Sequence, residues 1–313
     1  MLKHRLLMSA LLIPATVGLF AWDQSLGDRA PVLFVLVLLI SARCVWELVT
    51  LLNAAGYRPE GKVILVGTWL MLIAVWWPHY SMFYQWRLKL FDEPMAYIAV
   101  AFGIVVVLLL FNAVSRFSKL EATKQVPTHS VNSGFQVATL GLELFGVAYI
   151  GGQLALTCLL RWMRYGGDID GDMGFYPLSA LLIATKMGDV GAYTFGRWIG
   201  GPKMVPKLSP GKTWAGGVGH LVTAGLCSVA WLCWLGPSVS ASWRTYRIMP
   251  AAVFGVVVGF AGLIGDLAES LIKRDVGVKD APALLPGFGG LLDLMDSILL
   301  AGPVAYGMWH LLR

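Results

Sequence analysis

Asp266, Glu269, Lys273, Arg274, Asp275, Lys279, Asp280, Asp293 and Asp296 crowd the stretch 265–297, between two long apolar runs. Unpaired charge in such surroundings is costly and usually marks function. On a helix, Asp266, Glu269, Ser270 and Lys273 share one face, being three, four and seven residues apart. Asp293 and Asp296 form a second pair at the start of the last apolar run. Carboxylates brought so close repel one another and take up protons. A hard cation such as Mg2+, bound by one or two carboxylates together with substrate phosphates, makes the cluster favourable instead. Asp266, Asp293 and Asp296 are the candidate ligands, with or without a second cation, and Lys273, Arg274 and Lys279 supply the positive charge that phosphate oxygens need. The Pro286–Gly290 loop, PGFGG, suits a backbone that turns sharply or approaches a ligand closely. Metal-assisted phosphate chemistry is what these residue types and spacings suggest.

The same stretch resembles the signature of the phosphatidate cytidylyltransferases (CDP-diacylglycerol synthases): S, three residues later K-R, then K-D, P-G-H-G-G and D-R-x-D. It stands here as Ser270, Lys273, Arg274, Lys279, Asp280, Pro286, Gly287, Phe288, Gly289, Gly290, Asp293, Leu294, Met295 and Asp296. Phe288 takes the place of the His and Leu294 that of the Arg.

Two upstream segments extend the resemblance. In ATKMGDVGAYTFGRWIGG, Lys186 and Asp189 lie three apart near the end of an apolar segment, with Tyr193 one turn on. A neutralised pair that merely permits burial is the plain reading; the family's D-x-x-A-Y-x-x-G, matched by Asp189, Ala192, Tyr193 and Gly196, favours a helix end open to nucleotide. In KLSPGKTWAGG, the GKT is not a Walker motif, because Pro206 stands where that motif needs glycine and no hydrophobic strand precedes it. It resembles instead the family's S-P-K-K-T, matched by Ser209, Pro210, Lys212 and Thr213, with Gly211 in place of a Lys. A Ser/Lys/Thr loop just before a helix offers backbone N–H groups and a cation to phosphate.

Behind these motifs stands a membrane scaffold. The 313 residues are 57% hydrophobic and 13% charged, and the mean hydropathy is +0.70. This is the balance of an all-α polytopic membrane protein. Segments long enough to span ~30 Å of hydrocarbon recur along the chain; the reading is nine, centred near residues 14, 42, 70, 103, 148, 182, 226, 260 and 302. The first, after Lys3, His4 and Arg5, is expected to be an uncleaved helix, since no small-x-small site follows and Trp22 with Asp23 reads as an interface. With the N-terminus in the cytoplasm, the inside loops carry the larger share of Lys and Arg, and the signature faces inward. Residues 1–132 are read as N-terminal transmembrane helices and loops, and 133–313 as the catalytic region.

The remaining features are bland. The net charge of +6 is spread over membrane-flanking loops, which fits anionic lipid headgroups and not nucleic acid. Cys44, Cys158, Cys227 and Cys233 have no ligand or redox spacing and read as small core residues. DIDGDMG, at 168–174, lacks the later ligands of a calcium loop and reads as a solvated turn. His79, in the aromatic stretch 76–94, reads as an interfacial surface residue. Gly255, Gly259, Gly262 and Gly265 form a small-residue stripe suited to close helix packing.

The resemblance implies an enzyme that joins CTP to phosphatidate, giving CDP-diacylglycerol and pyrophosphate. Lys273, Arg274, Lys279 and Asp280 would then be catalytic, Asp189, Tyr193, Ser209, Lys212, Thr213 and Ser270 substrate-binding, and Asp266, Asp293 and Asp296 the Mg2+ ligands. It also implies a homodimer, placed in the inner membrane if the source is bacterial. Arg197, Lys203 and Lys207 are available to compensate for the positive charge lost at Leu294 and Gly211. A CTP-dependent lipid kinase would use the same groups but release CDP. An ion-coupled transporter would be expected to show inverted repeats, and none is visible.

Overall fold

The computed structural model describes residues 2–80, 94–122, 133–163, 174–240, 243–278 and 289–312, with side chains for all of these except 2–13, 119–122 and 133–136. Lys279, Asp280, Pro286, Gly287 and Phe288, the 81–93 part of the aromatic stretch, and the DIDGDM turn lie outside the described residues. The elements are α1 (Leu2–Ser25), α2 (Pro31–Ala54), α3 (Gly61–Tyr80), α4 (Pro94–Ala122), α5 (Ser133–Gly146), α6 (Gln153–Cys158), α7 (Tyr176–Trp198), β1 (Lys203–Val205), β2 (Ser209–Thr213), α8 (Trp214–Ala230), α9 (Gly236–Val239), α10 (Ile248–Asp275) and α11 (Leu291–Leu311). A π-helical turn joins α5 to α6, and another joins α8 to α9.

The chain is an all-α polytopic membrane protein in which β1 and β2 make a small antiparallel hairpin. Among the described residues, seven helical stretches are long and apolar enough to cross a bilayer: Pro31–Ala54, Gly61–Tyr80, Pro94–Ser118, Val137–Trp162, Trp214–Val239, Ile248–Asp275 and Leu291–Leu311. The other two expected spans are helices as well, α1 and α7, but fall outside that set. In α7 the reason is visible, since Lys186, Asp189 and Arg197 interrupt its apolar character.

Two compact units make up the chain, Pro31–Ala155 and a second formed by Met1–Ala30 with Leu156–Arg313. Within the first, Glu143 is fully buried and is satisfied by Arg116, whose two terminal nitrogens each donate at 2.8 Å, and by the Glu60 backbone N–H at 2.9 Å. A bidentate guanidinium and an amide together meet the needs of a carboxylate that water does not reach.

The second unit holds all the candidate site residues. Its helices approach closely because glycines face backbone across their seams. A methyl group added at Gly191 of α7 would run into Gly219 O and Thr223 of α8. The expected stripe on α10 works the same way: Gly255 and Gly259 face α8, Gly262 faces Thr185 of α7, and Gly265 faces the Asp296 backbone of α11. One end of this unit is aromatic. Tyr176, at the start of α7, stacks on Trp243 at 4.6 Å and meets the edge of Trp309 at 5.8 Å, which in turn packs on Phe254 at 5.6 Å. Asp189 lies some 20 Å further along α7, at ~1.5 Å rise per residue. Asp293 and Asp296 are about as far from Trp309 along α11, so the charged groups gather at the other end. The free cysteines are core residues as expected, Cys44, Cys158 and Cys233 buried and Cys227 half-buried.

Candidate functional site

Strand β2 delivers Lys212 and Thr213 to the start of α8. Thr213 adopts an extended backbone (φ −114°, ψ 157°) and its hydroxyl accepts from the Gly216 N–H at 3.1 Å, an N-cap that ends the strand and begins the helix. Where the sequence suggested a loop, the structure has a hairpin: Ser209 is in register with Val205, and Lys203 with Thr213. These strands are too short, and too rich in Pro, Gly and Lys, to show the alternation that identifies a strand in sequence. The hairpin is held to its surroundings by the Trp214 N–H donating to Pro202 O at 3.1 Å and by Arg274 Nε donating to Leu208 O at 3.3 Å.

Below the hairpin lies a cavity of ≈ 300 Å³, at the small end of the range for ligand pockets. Asp189, Tyr193 and Arg197 of α7, Lys212, Thr213, Gly216 and His220 from β2 and α8, and Asp266 of α10 border it. Lys212 Nζ lies 2.7 Å from Asp266 Oδ2 across this space. Asp189 stands 3.7 Å from both Lys186 Nζ and His220 Nδ1, and near enough to Asp266 for the two charges to interact. Arg197 donates to the Tyr193 hydroxyl at 2.8 Å on the outer rim. The backbone N–H groups at the start of α8, the positive end of its dipole, face the same region.

A second polar group joins α10 to α11. Lys273 Nζ lies 2.7 Å from Asp293 Oδ1 and 2.8 Å from Glu269 Oε2, while Asp293 Oδ2 accepts from the Gly290 N–H at 2.9 Å. Asp293 thereby caps α11, where a carboxylate complements the helix N-terminus. Gly289 stands beside it in the left-handed region (φ 83°), where glycine is favoured. Asp296 is buried and accepts from the Ser297 N–H and hydroxyl; its charge is within reach of Asp266. Lys186 donates to Leu294 O at 2.9 Å and ties α7 to α11.

Of the residues singled out from sequence, Asp189, Tyr193, Lys212, Thr213 and Asp266 line one cavity. Lys273 and Asp293 meet in the neighbouring group. Ser209 is half-buried in the hairpin, Ser270 half-buried on α10, and Arg274 exposed, with its Nε on the Leu208 carbonyl. Lys279 and Asp280 lie outside the described residues. His220 was not singled out, although a histidine inside an apolar helix is itself a signal.

The donors near the cavity are largely carboxylate oxygens, the set a hard cation takes. Asp189, Asp266, Glu269, Asp293 and Asp296 are matched in number by Lys186, Arg197, Lys212, Lys273 and Arg274. Among the described residues, no three His, Cys, Asp or Glu side chains gather closely enough to hold an ion by themselves. An Mg2+ ion bound by one or two carboxylates and completed by substrate phosphates would not require such a group.

The chain is 33% identical over 215 residues to the uncharacterized protein YnbB of Escherichia coli K12, covering 68% of this chain and 67% of that one. It is 35% identical over 169 residues to a phosphatidate cytidylyltransferase of Brucella melitensis, covering 53% of this chain and 56% of the relative. A phosphatidate cytidylyltransferase of Mycobacterium leprae is 39% identical over 135 residues, 42% of this chain and 40% of the relative. The match thus spans about half the length of the curated cytidylyltransferases. The model of the cytidylyltransferase family matches residues 3–312, nearly the whole length, and the chain therefore belongs to the cytidylyltransferase family, whose members are nucleotidyltransferases.

Proposed function

We propose that this protein transfers the cytidylyl group of CTP to phosphatidate, giving CDP-diacylglycerol and pyrophosphate. The family and the names of the relatives support the reading. The observation that carries it is the placement of Lys212: it stands between the capped start of α8 and Asp266, on the wall of the ≈ 300 Å³ cavity. A cation, a helix N-terminus and a carboxylate on one wall suit a nucleotide triphosphate.

In this reading an oxygen of the lipid phosphate attacks the α-phosphorus of CTP, the bond to the bridging oxygen breaks, and pyrophosphate leaves, with no covalent protein intermediate. Lys212 turns from Asp266 to the phosphate chain, and the α8 backbone N–H groups hold phosphate oxygens. Lys273 and Arg274, with Lys279 and Asp280, orient the lipid phosphate and the leaving group. Asp189, Tyr193, Ser209, Thr213 and Ser270 position the nucleotide. Of Asp266, Asp293 and Asp296, one or two at a time would hold Mg2+, completed by the substrate phosphates and with or without a second cation, and the metal would neutralise charge on the transferring and leaving phosphates. The site faces the cytoplasm, in the inner membrane of a bacterial source, and the protein works as a homodimer surrounded by anionic lipid.

The test is an assay of purified protein in detergent with Mg2+, phosphatidate and CTP labelled on the α-phosphate. Label is expected to enter the lipid phase and to stop doing so with EDTA. Release of CDP without lipid labelling, or no turnover by folded protein that binds CTP, would overturn the reading.

A further inference from the structure

His220 is 1% exposed, in a helix that otherwise presents small and apolar residues to its neighbours. Its ring is held at one end only. Nε2 lies 2.9 Å from the Gly259 carbonyl of α10, and a carbonyl accepts only, so Nε2 carries a hydrogen and donates it. Nδ1 is buried without a hydrogen-bond partner. The group facing it is Asp189 Oδ1, 3.7 Å away across the α7–α8 seam. That distance is within ion-pair range and beyond that of a direct hydrogen bond; with the hydrogen on Nε2, Nδ1 and Oδ1 both present lone pairs, and the two attract when a proton lies between them.

The packing shows that room has been made for this ring. A Cβ added at Gly188 would overlap the imidazole, and one at Gly259 would touch it. α7 therefore lacks a side chain where the ring sits, whereas at Gly259 the first obstacle is Ala224. A histidine that served only to fill the core would need no second nitrogen directed at a carboxylate, and leucine in the same helix would bury no polar atom. Asp189 in turn is half-exposed to the cavity, and its two oxygens are 3.7 Å from His220 and from Lys186, so neither is fixed by a short bond from a side chain. Lys212 and Asp266 are the other charged groups near the ring.

We propose that His220 is a positioning residue for the transfer reaction: braced on the Gly259 carbonyl through Nε2–H, it shares a proton between Nδ1 and Asp189 Oδ1 and so sets where that side chain stands on the cavity wall. The proposal rests on the cytidylyl-transfer reading and adds to it a residue that does not itself contact substrate. With Oδ1 engaged in this way, Oδ2 is left to accept, and so it selects a ligand that offers an N–H or O–H donor at that point, such as an exocyclic amine or a ribose hydroxyl. Brace, imidazole and carboxylate come from α10, α8 and α7 respectively, so the relative placement of three helices is passed to one pair of oxygens. Removing a small part of such a chain costs far more than its own contacts, because reacting groups misplaced by ~1 Å lose about 100-fold in rate.

The test is a double-mutant cycle of His220→Gln and Asp189→Asn, read as kcat and KM for CTP, together with the 15N resonances of histidine-labelled protein. Gln reaches the Gly259 carbonyl with its amide and has nothing at the Nδ1 position, so the unfolding temperature in detergent is expected to stay near that of the parent. His220→Gln should lower kcat/KM about 10-fold or more, and the double variant should be no worse than Asp189→Asn alone, as coupled residues behave. Multiplied losses, or an unimpaired His220→Gln, would overturn the proposal. Asp189→Asn should also move the Nδ1 resonance of His220 and leave the other histidines in place; an unmoved resonance would overturn the pairing. If the parent protein transfers no cytidylyl group, the reaction reading fails with it and the role in transfer is refuted. The resonance then reports only whether the two side chains meet.

Discussion

Lys212 Nζ stands 2.7 Å from Asp266 Oδ2, one residue delivered by a hairpin and the other by a transmembrane helix. Each belongs to a different half of the proposed chemistry, the lysine to phosphate and the aspartate to the cation. The two neutralise one another, and Lys273 likewise pairs with Asp293, with Glu269 beside them. Phosphate and cation arriving together would separate the pairs without leaving a charge unmatched.

Lys212→Ala is therefore expected to lower kcat/KM for CTP by about 100-fold or more, the scale for losing a donor to developing phosphate charge. Lys212→Arg should recover part of the loss. Steady-state kinetics with labelled CTP checks this, and an alanine variant within a few-fold of the parent would remove Lys212 from the site.

Asp293→Ala and Asp296→Ala should abolish Mg2+-dependent transfer while leaving expression intact. Asp293→Asn separates charge from shape, since it can still accept from the Gly290 N–H that caps α11. Titration of Mg2+ against activity checks the assignment, which retained turnover in either alanine variant would refute.

Thr213→Ala removes the hydroxyl that accepts from Gly216 N–H. Loss of a cap costs about 1 kcal/mol, and here the freed N–H belongs to Gly216, which lines the cavity. A raised KM for CTP is expected with a modest fall in unfolding temperature, and Thr213→Ser should restore both.

Glu143→Ala separates folding from chemistry. It leaves the half-buried Arg116 with only Glu60, 3.6 Å away, as an ion-pair partner among the described residues, a loss of up to about 3 kcal/mol. The expected result is a much lower unfolding temperature in detergent, with KM for CTP unchanged in the protein that remains folded.

Much of this protein was determined locally. Hydropathy over a span length does not depend on the rest of the chain, so the nine expected spans all appear as helices, seven of them apolar enough to cross by composition. The spacing of Asp266, Glu269 and Lys273 on one helix face needed only the helical period, and the Gly255–Gly265 stripe announced its seam by residue size. Three-dimensional packing alone decided which charges meet. Lys212 with Asp266, Lys273 with Asp293, and His220 with Asp189 are far apart in sequence, and no periodicity links them. The hairpin too was decided by its setting, because strands of three and five residues have little propensity of their own and are held by Pro202, Leu208 and Arg274. His220 shows the limit most plainly: its residue type hinted at function, but only the Gly259 carbonyl at one end of the ring and the Asp189 carboxylate at the other say what the ring is for.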